Sequence, residues 1–125
     1  MEIINAQDVL FLVALNASEE SSLVELRQDI ERWDFSKVDI TNILLSLIED
    51  GTILLSKRID VSFSDYSRDD SLKIASSWST DCSNEIVLYL TDSGYKRWEV
   101  DDWGISTKRA HYLMFTNQNK GVSRA

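Results

Sequence analysis

Two residues occur once each in this 125-residue chain, Cys82 and His111, and their types are those of a thiolate–imidazole pair. A reactive thiol needs a nearby cation or helix N-terminus to lower its pKa. Cys82 stands instead in the polar run Thr80-Asp-Cys-Ser, with no cation beside it, and His111 belongs to an amphipathic stretch near the C-terminus. The pair is therefore not read as catalytic. Asp69-Asp70 and Asp101-Asp102 offer carboxylates to a metal, but adjacent acids on loops and helix ends are usually solvated, and no Cys/His spacing suggests zinc. The four glycines form no phosphate-cradling loop. The expectation is a protein that is not an enzyme, with no catalytic residue, metal or cofactor. Trp33, Trp78, Trp98 and Trp103 could line a small-molecule pocket, although such rings more often fill a core and find a local acceptor for the indole N–H.

Charge narrows the partners. All 21 acidic residues lie at or before Asp102 together with nine of the thirteen cations, so residues 1–103 carry −12 and residues 104–125 carry +4. An acidic body repels polyanions and suits a basic protein partner. With 43% apolar residues the chain can bury one core. A single domain over 1–116 is expected, followed by a tail at 117–125 without structure. The longest apolar run, Val9 to Leu15, is far short of the ~20 residues that span a bilayer. Met1-Glu-Ile-Ile-Asn has no basic n-region, so a cytoplasmic location without membrane contact is expected.

The elements follow from periodicity and caps. Met1 to Asn5 reads as an extended lead-in or short strand, and Ala6 to Ala17 as a helix apolar on nearly every side. Ser22 and Glu25 form a capping box for a second helix with the stripe Leu23, Leu26, Ile30 and Trp33. Ser36 and Asp39 repeat that capping logic before Ile40, Ile43, Leu44, Leu47 and Ile48, with Gly51 placed as a left-handed C-cap. Thr52 to Arg58 and Glu85 to Thr91 read as strands, paired antiparallel as a hairpin whose long connection is 59–84. Within that connection Val61 to Ser64 alternates like a strand. Leu72, Ile74, Ala75 and Trp78 fit a short helix beginning near Ser67, and Leu72, Ile74 and Ser76 would also alternate along a strand; the helix is the favoured reading, with Trp78 anchoring the excursion. Thr91 caps a further helix with Tyr95 and Trp98 on one face, and Lys108 to Phe115 is amphipathic.

Leu47-Ile-Glu-Asp-Gly-Thr-Ile resembles the junction between recognition helix and wing in MarR-like and PadR-like regulators. Tyr89-Leu-Thr-Asp-Ser-Gly-Tyr-Lys-Arg-Trp-Glu is similar to the Tyr-x-Leu-Thr-x-x-Gly segment that closes their wing and opens the next helix, with the tyrosine here one residue nearer the leucine. The resemblance covers about residues 6–103 and implies an α+β winged-helix-like fold: three N-terminal helices, a β-hairpin with a long connection, and C-terminal helices. It also implies a DNA-facing third helix, where Lys37, Thr41 and Asn42, with Lys57 and Arg58 in the wing, would be the contacts.

The residues argue against that use. The open side of the third helix would present Lys37 against Asp39, Glu49 and Asp50, and non-specific DNA affinity rests on Lys and Arg. The expected function is a non-catalytic regulatory or protein-interaction module, with a DNA-binding transcriptional regulator as the alternative. Leu45 and Tyr112, Leu113, Met114 and Phe115 are the candidate surface for a protein partner or for a second copy in a homodimer. For Tyr112 to Phe115 the competing reading is that they complete the monomer's own core.

Overall fold

The computed structural model describes residues 2–80, 83–100 and 103–122, with side chains to Phe115 in the last helix. Cys82, Asp101 and Asp102 lie outside the described residues. The first helix, α1 (Ala6–Ser18), starts where Asn5 and Asp8 close a capping box, each side chain accepting the other's backbone N–H. Val9, Phe11 to Leu15 and Ala17 are all buried, as an all-round apolar helix requires. The second, α2 (Leu23–Ile30), begins at the expected Ser22–Glu25 box, and its stripe of Leu23, Leu26, Ile30 and the following Trp33 is buried.

The third helix, α3 (Ile40–Glu49), starts later than a Ser36 cap would place it. Asp39 is the N-cap and accepts from the Asn42 N–H at 3.0 Å. Ser36 is engaged elsewhere, giving its N–H and hydroxyl to Asp34 Oδ1 at 3.0 and 2.7 Å. At the other end Gly51 takes φ +84°, its N–H reaching Ile48 O while the Thr52 N–H reaches Leu47 O. This is the paired 5→2 and 6→1 closure that glycine enters without Cβ strain.

Strands β1 (Ile53–Ile59), β2 (Ser62–Asp65) and β3 (Ile86–Leu90) form an antiparallel sheet in the order β2-β1-β3. The expected pairing of the two outer strands of the excursion holds, with Ile53 opposite Leu90 and Leu55 opposite Leu88 on the core face. The connection is more structured than one long loop. After a turn at Asp60-Val61, with Asp60 at φ +55°, β2 folds back on β1 and pairs Ile59 with Ser62. Then α4 (Arg68–Ala75) follows, beginning near Ser67 as the sequence suggests, with the Ser67 side chain as its N-cap.

Two short bridges complete the frame. Ser22, between α1 and α2, pairs with Val87 of β3, and the Ile3 lead-in pairs with Asp34. Helix, short strand, two helices and antiparallel sheet, in this order, are compatible with a winged-helix-like topology. Among the described residues there are six helices in all, the last two being α5 (Asp92–Glu99) and α6 (Thr107–Val122). Tyr95 on α5 is exposed rather than part of a buried face, whereas Trp98 stacks on Phe11 at 5.8 Å and Trp103 is buried beyond the helix end. Helix α6 continues past the boundary expected at 116–117. No helix among the described residues is long and apolar enough to cross a membrane.

The Leu-Thr-x-x-Gly segment has a mechanical role in this frame. The Thr91 hydroxyl bonds to Gly51 O and accepts from the Gly94 N–H, while the Thr91 N–H bonds to Thr52 O at 3.1 Å. A Cβ on Gly94 would fall 2.1 Å from Thr52 O. The segment therefore seats α5 directly on the corner between α3 and β1.

Candidate interaction surface on the third helix

The apolar stripe of α3 faces the body, with Ile40, Leu44, Leu47 and Ile48 buried. Its flank is occupied as well, because α4 packs against it. Small residues bring α4 close: Ser71 and Ala75 are its buried positions, and the Ser71 hydroxyl accepts the Leu55 N–H of β1 at 3.2 Å. Two further bonds fix α4 along α3. The Trp78 indole donates to Thr41 Oγ1 at 3.1 Å near the start of α3, and the Arg68 guanidinium donates to Glu49 O at 3.3 Å at its end. Trp78 is thus the anchor that the sequence suggested, buried against the first turn of α3.

What α3 and its C-cap leave exposed is Asn42, Ser46, Glu49 and Asp50, the last paired with Arg97 at 3.3 Å and accepting from Thr52. Half-buried Ile43 and Leu45 join Asn42, Ser46 and Glu49 around a shallow concavity. Leu45 is therefore partly packed on the core rather than fully open. Thr41 is engaged by Trp78 and is half-buried. Lys37 is exposed in the turn before α3, and Lys57 and Arg58 are exposed at the far end of β1, none of the three in an ion pair among the described residues. The candidate DNA contacts are thus divided between the approach to α3 and the hairpin, and the exposed strip of the helix itself carries two carboxylates, one amide and one hydroxyl.

A larger groove of about 710 Å³ lies between α2, the turn at 35–39 and Trp78. Ile30, Phe35, Val38, Ile40 and Trp78 supply apolar walls, and Arg27, Glu31, Lys37 and Asp39 line it with both signs of charge. Of the four tryptophans that the sequence offered as pocket walls, Trp78 alone lines this groove.

At the C-terminal end the segment from Tyr112 to Phe115 divides. Leu113 is completely buried in the core and Met114 packs beside it, whereas Phe115 is 61% exposed. The Tyr112 hydroxyl bonds to Glu2, and its ring meets Trp33 edge-on at 6.0 Å. Arg109 holds Asp8 through two nitrogens at 3.0 and 2.9 Å and reaches Glu2 at 2.8 Å. Burial alone raises the pKa of Asp8, but the Arg109 bonds, the Asn5 amide and the charge attraction outweigh it, leaving the carboxyl below its usual range. Glu2 is lowered chiefly by the Tyr112 hydroxyl and then by Arg109.

The tryptophans serve separate places. Trp78 lies against α3, Trp33 under Tyr112, and Trp98 beside Trp103 at 6.0 Å, with Arg97 over the Trp103 ring at 4.5 Å. The Trp33 and Trp103 indole nitrogens are buried and have no hydrogen-bond partner among the described residues, in contrast to Trp78. His111 is exposed on α6, and Asp69 and Asp70 occupy the first turn of α4, where the helix dipole favours anions. Among the described residues no group of three or more His, Cys, Asp and Glu is arranged to hold a metal ion.

Fold and surface together define an α+β chain, compatible with a winged-helix-like topology, whose third helix is flanked by α4. No known protein family, curated protein or solved structure matches it.

Proposed function

We propose that this chain is a non-catalytic regulatory or protein-interaction module built on a winged-helix-like scaffold. The observation that carries this reading is the placement of α4 along α3. A helix that reads the major groove needs a free face bearing cations and amides. Here Trp78 and Arg68 fasten α4 to α3 at Thr41 and Glu49, and the remaining open strip is Asn42, Ser46, Glu49 and Asp50. Such a surface suits a protein partner with basic side chains, with Leu45 and Ile43 as the apolar floor. Kinship with MarR-like and PadR-like regulators would rest on the Leu47 to Ile53 and Leu90 to Gly94 segments, whose local geometry supports it.

DNA binding is the second reading, favoured by one observation: Lys57 and Arg58 stand exposed and unpaired by any described acid on a hairpin in the position of a wing. Titration against random duplex DNA at low salt separates the two. The interaction-module reading expects no salt-sensitive binding. Micromolar binding that weakens steeply with salt and disappears in Lys57→Glu and Arg58→Glu variants would overturn it.

A further inference from the structure

The outer edge of β2 pairs with no strand among the described residues. The bond from the Tyr66 N–H to Leu55 O sets the phase of the β1–β2 ladder, so Ser62, Ser64 and Tyr66 turn their backbone groups toward β1. Phe63 and Asp65 therefore turn theirs outward. All four β2 residues are exposed, with Phe63 at 49%, and Val61 at the turn is 99% exposed. Open edges are usually blunted by shortness, charge, proline or a bulge. Ser-Phe-Ser-Asp is short and carries one charge, Asp65, but it has no lysine or proline and leaves the outward backbone groups of Phe63 and Asp65 open.

We propose that this edge is a self-association site, where two copies pair β2 with β2 antiparallel about a twofold axis at Ser64. Phe63 then exchanges both backbone hydrogen bonds with the partner's Asp65, and the two three-stranded sheets become one of six strands. The charges select a second copy and this register. Arg58 lies directly across from Phe63, and Phe63 and Asp65 share a face because side chains alternate with period two. Across the axis one row reads Arg58, Phe63, the partner's Asp65, the partner's Ser56. A guanidinium with no ion pair among the described residues gains, on the same face, a carboxylate whose Oδ1 accepts from the Ser56 hydroxyl of its own chain at 2.9 Å and whose charge is not matched by any ion pair among the described residues, and the symmetry repeats the gain.

The same pairing makes Phe63 and the partner's Phe63 diagonal neighbours, within reach of aromatic contact. Shifting the axis to Asp65 would set two carboxylates opposite each other. Shifting it to Phe63 would bring the partner's Asp65 alongside the Asp60 turn. The hairpin's Lys57, Arg58, Asp60 and Asp65 sum to zero charge in a chain of −8, so two acidic bodies can approach here with least repulsion. This inference is independent of the partner that the α3 surface takes.

Sedimentation equilibrium from about 10 µM to about 1 mM tests it, the window expected for so small an interface. The expected result is a reversible dimer. Phe63→Pro should weaken it by roughly tenfold or more, since the lost N–H points outward and the β1 ladder is kept. Arg58→Glu and Asp65→Lys should each weaken it, and their combination should recover affinity. Circular dichroism checks that each variant folds; if Phe63→Pro does not, the charge pair decides. A strict monomer across the range, charge variants that add rather than compensate, or a dimer that a folded Phe63→Pro leaves intact would overturn the proposal, the last most clearly if Phe115→Ser abolishes it.

Discussion

Trp78 gives its indole N–H to the Thr41 hydroxyl across 37 residues of chain, and that bond joins the end of the α4 excursion to the first turn of α3. The ring is also among the buried members of the core. One side chain thus combines a large apolar area with a satisfied donor, the usual pattern for a buried tryptophan. The excursion between β1 and β3 is therefore an integral layer over α3 rather than a decoration.

Replacing Trp78 separates these two contributions. Trp78→Ala should destabilise the fold by about 3–5 kcal/mol through the cavity it leaves. Thr41→Val should cost only about 1–3 kcal/mol, the penalty of leaving the indole N–H unpaired. Urea unfolding followed by circular dichroism measures both. Equal losses would show that the hydrogen bond rather than the ring holds α4.

Two glycines should respond to alanine for different reasons. Gly51→Ala meets nothing within 4 Å but must keep φ +84°, and should cost about 1 kcal/mol. Gly94→Ala drives a Cβ into the Thr52 carbonyl, so α5 must move off the corner, at a cost of about 1–3 kcal/mol or more. Denaturant midpoints rank the pair, with Gly94→Ala the lower. The reverse order would mean that α5 is not seated as tightly as described.

Acid should loosen the contact between the N-terminal lead-in, α1 and α6. Asp8 and Glu2 both have folded pKa values below their ordinary 3.8 and 4.5. Their contribution is therefore fully present above those ordinary values and is lost as pH falls through the lowered folded ones. Stability should drop from about pH 4.5 downward, and Arg109→Met should flatten that part of the profile. Thermal unfolding between pH 7 and pH 2.5 reads the slope. An unchanged slope in Arg109→Met would remove the Arg109 pairs as its cause.

Neighbouring residues on α6 should behave oppositely. Leu113→Ala should cost about 2–5 kcal/mol because the side chain is wholly buried. Phe115→Ala should stay within about 0.5 kcal/mol in the monomer, as expected of an exposed position. Unfolding at low protein concentration makes the comparison free of self-association.

Much of the local structure was legible because it depends on near neighbours. The Ser22–Glu25 box, the Gly51 stop and the Thr91 cap are each read from residues within four positions, each appears where expected, and α4 begins beside Ser67. Ser36 illustrates the limit of such reading. Its side chain had two local choices, and Asp34, two residues back, competed for it and left Asp39 to cap α3. The candidate surface was legible in composition, in that α3 shows carboxylates and an amide outward, but not in extent, since Leu45 and Thr41 are partly covered by what packs beside them.

By itself the sequence determined which segments are helices and strands, where most of them begin and stop, and that the third helix carries an acidic outer strip. Only the tertiary structure decided that α4 lies along α3, that β2 folds back to leave an open edge, and that Arg109 reaches Asp8 from 101 residues away. The division has a physical basis. Caps and periodicity are set by hydrogen bonds and apolar faces within a turn or two of chain, whereas the covering of a helix face depends on the summed fit of distant surfaces, on which a linear pattern places no constraint.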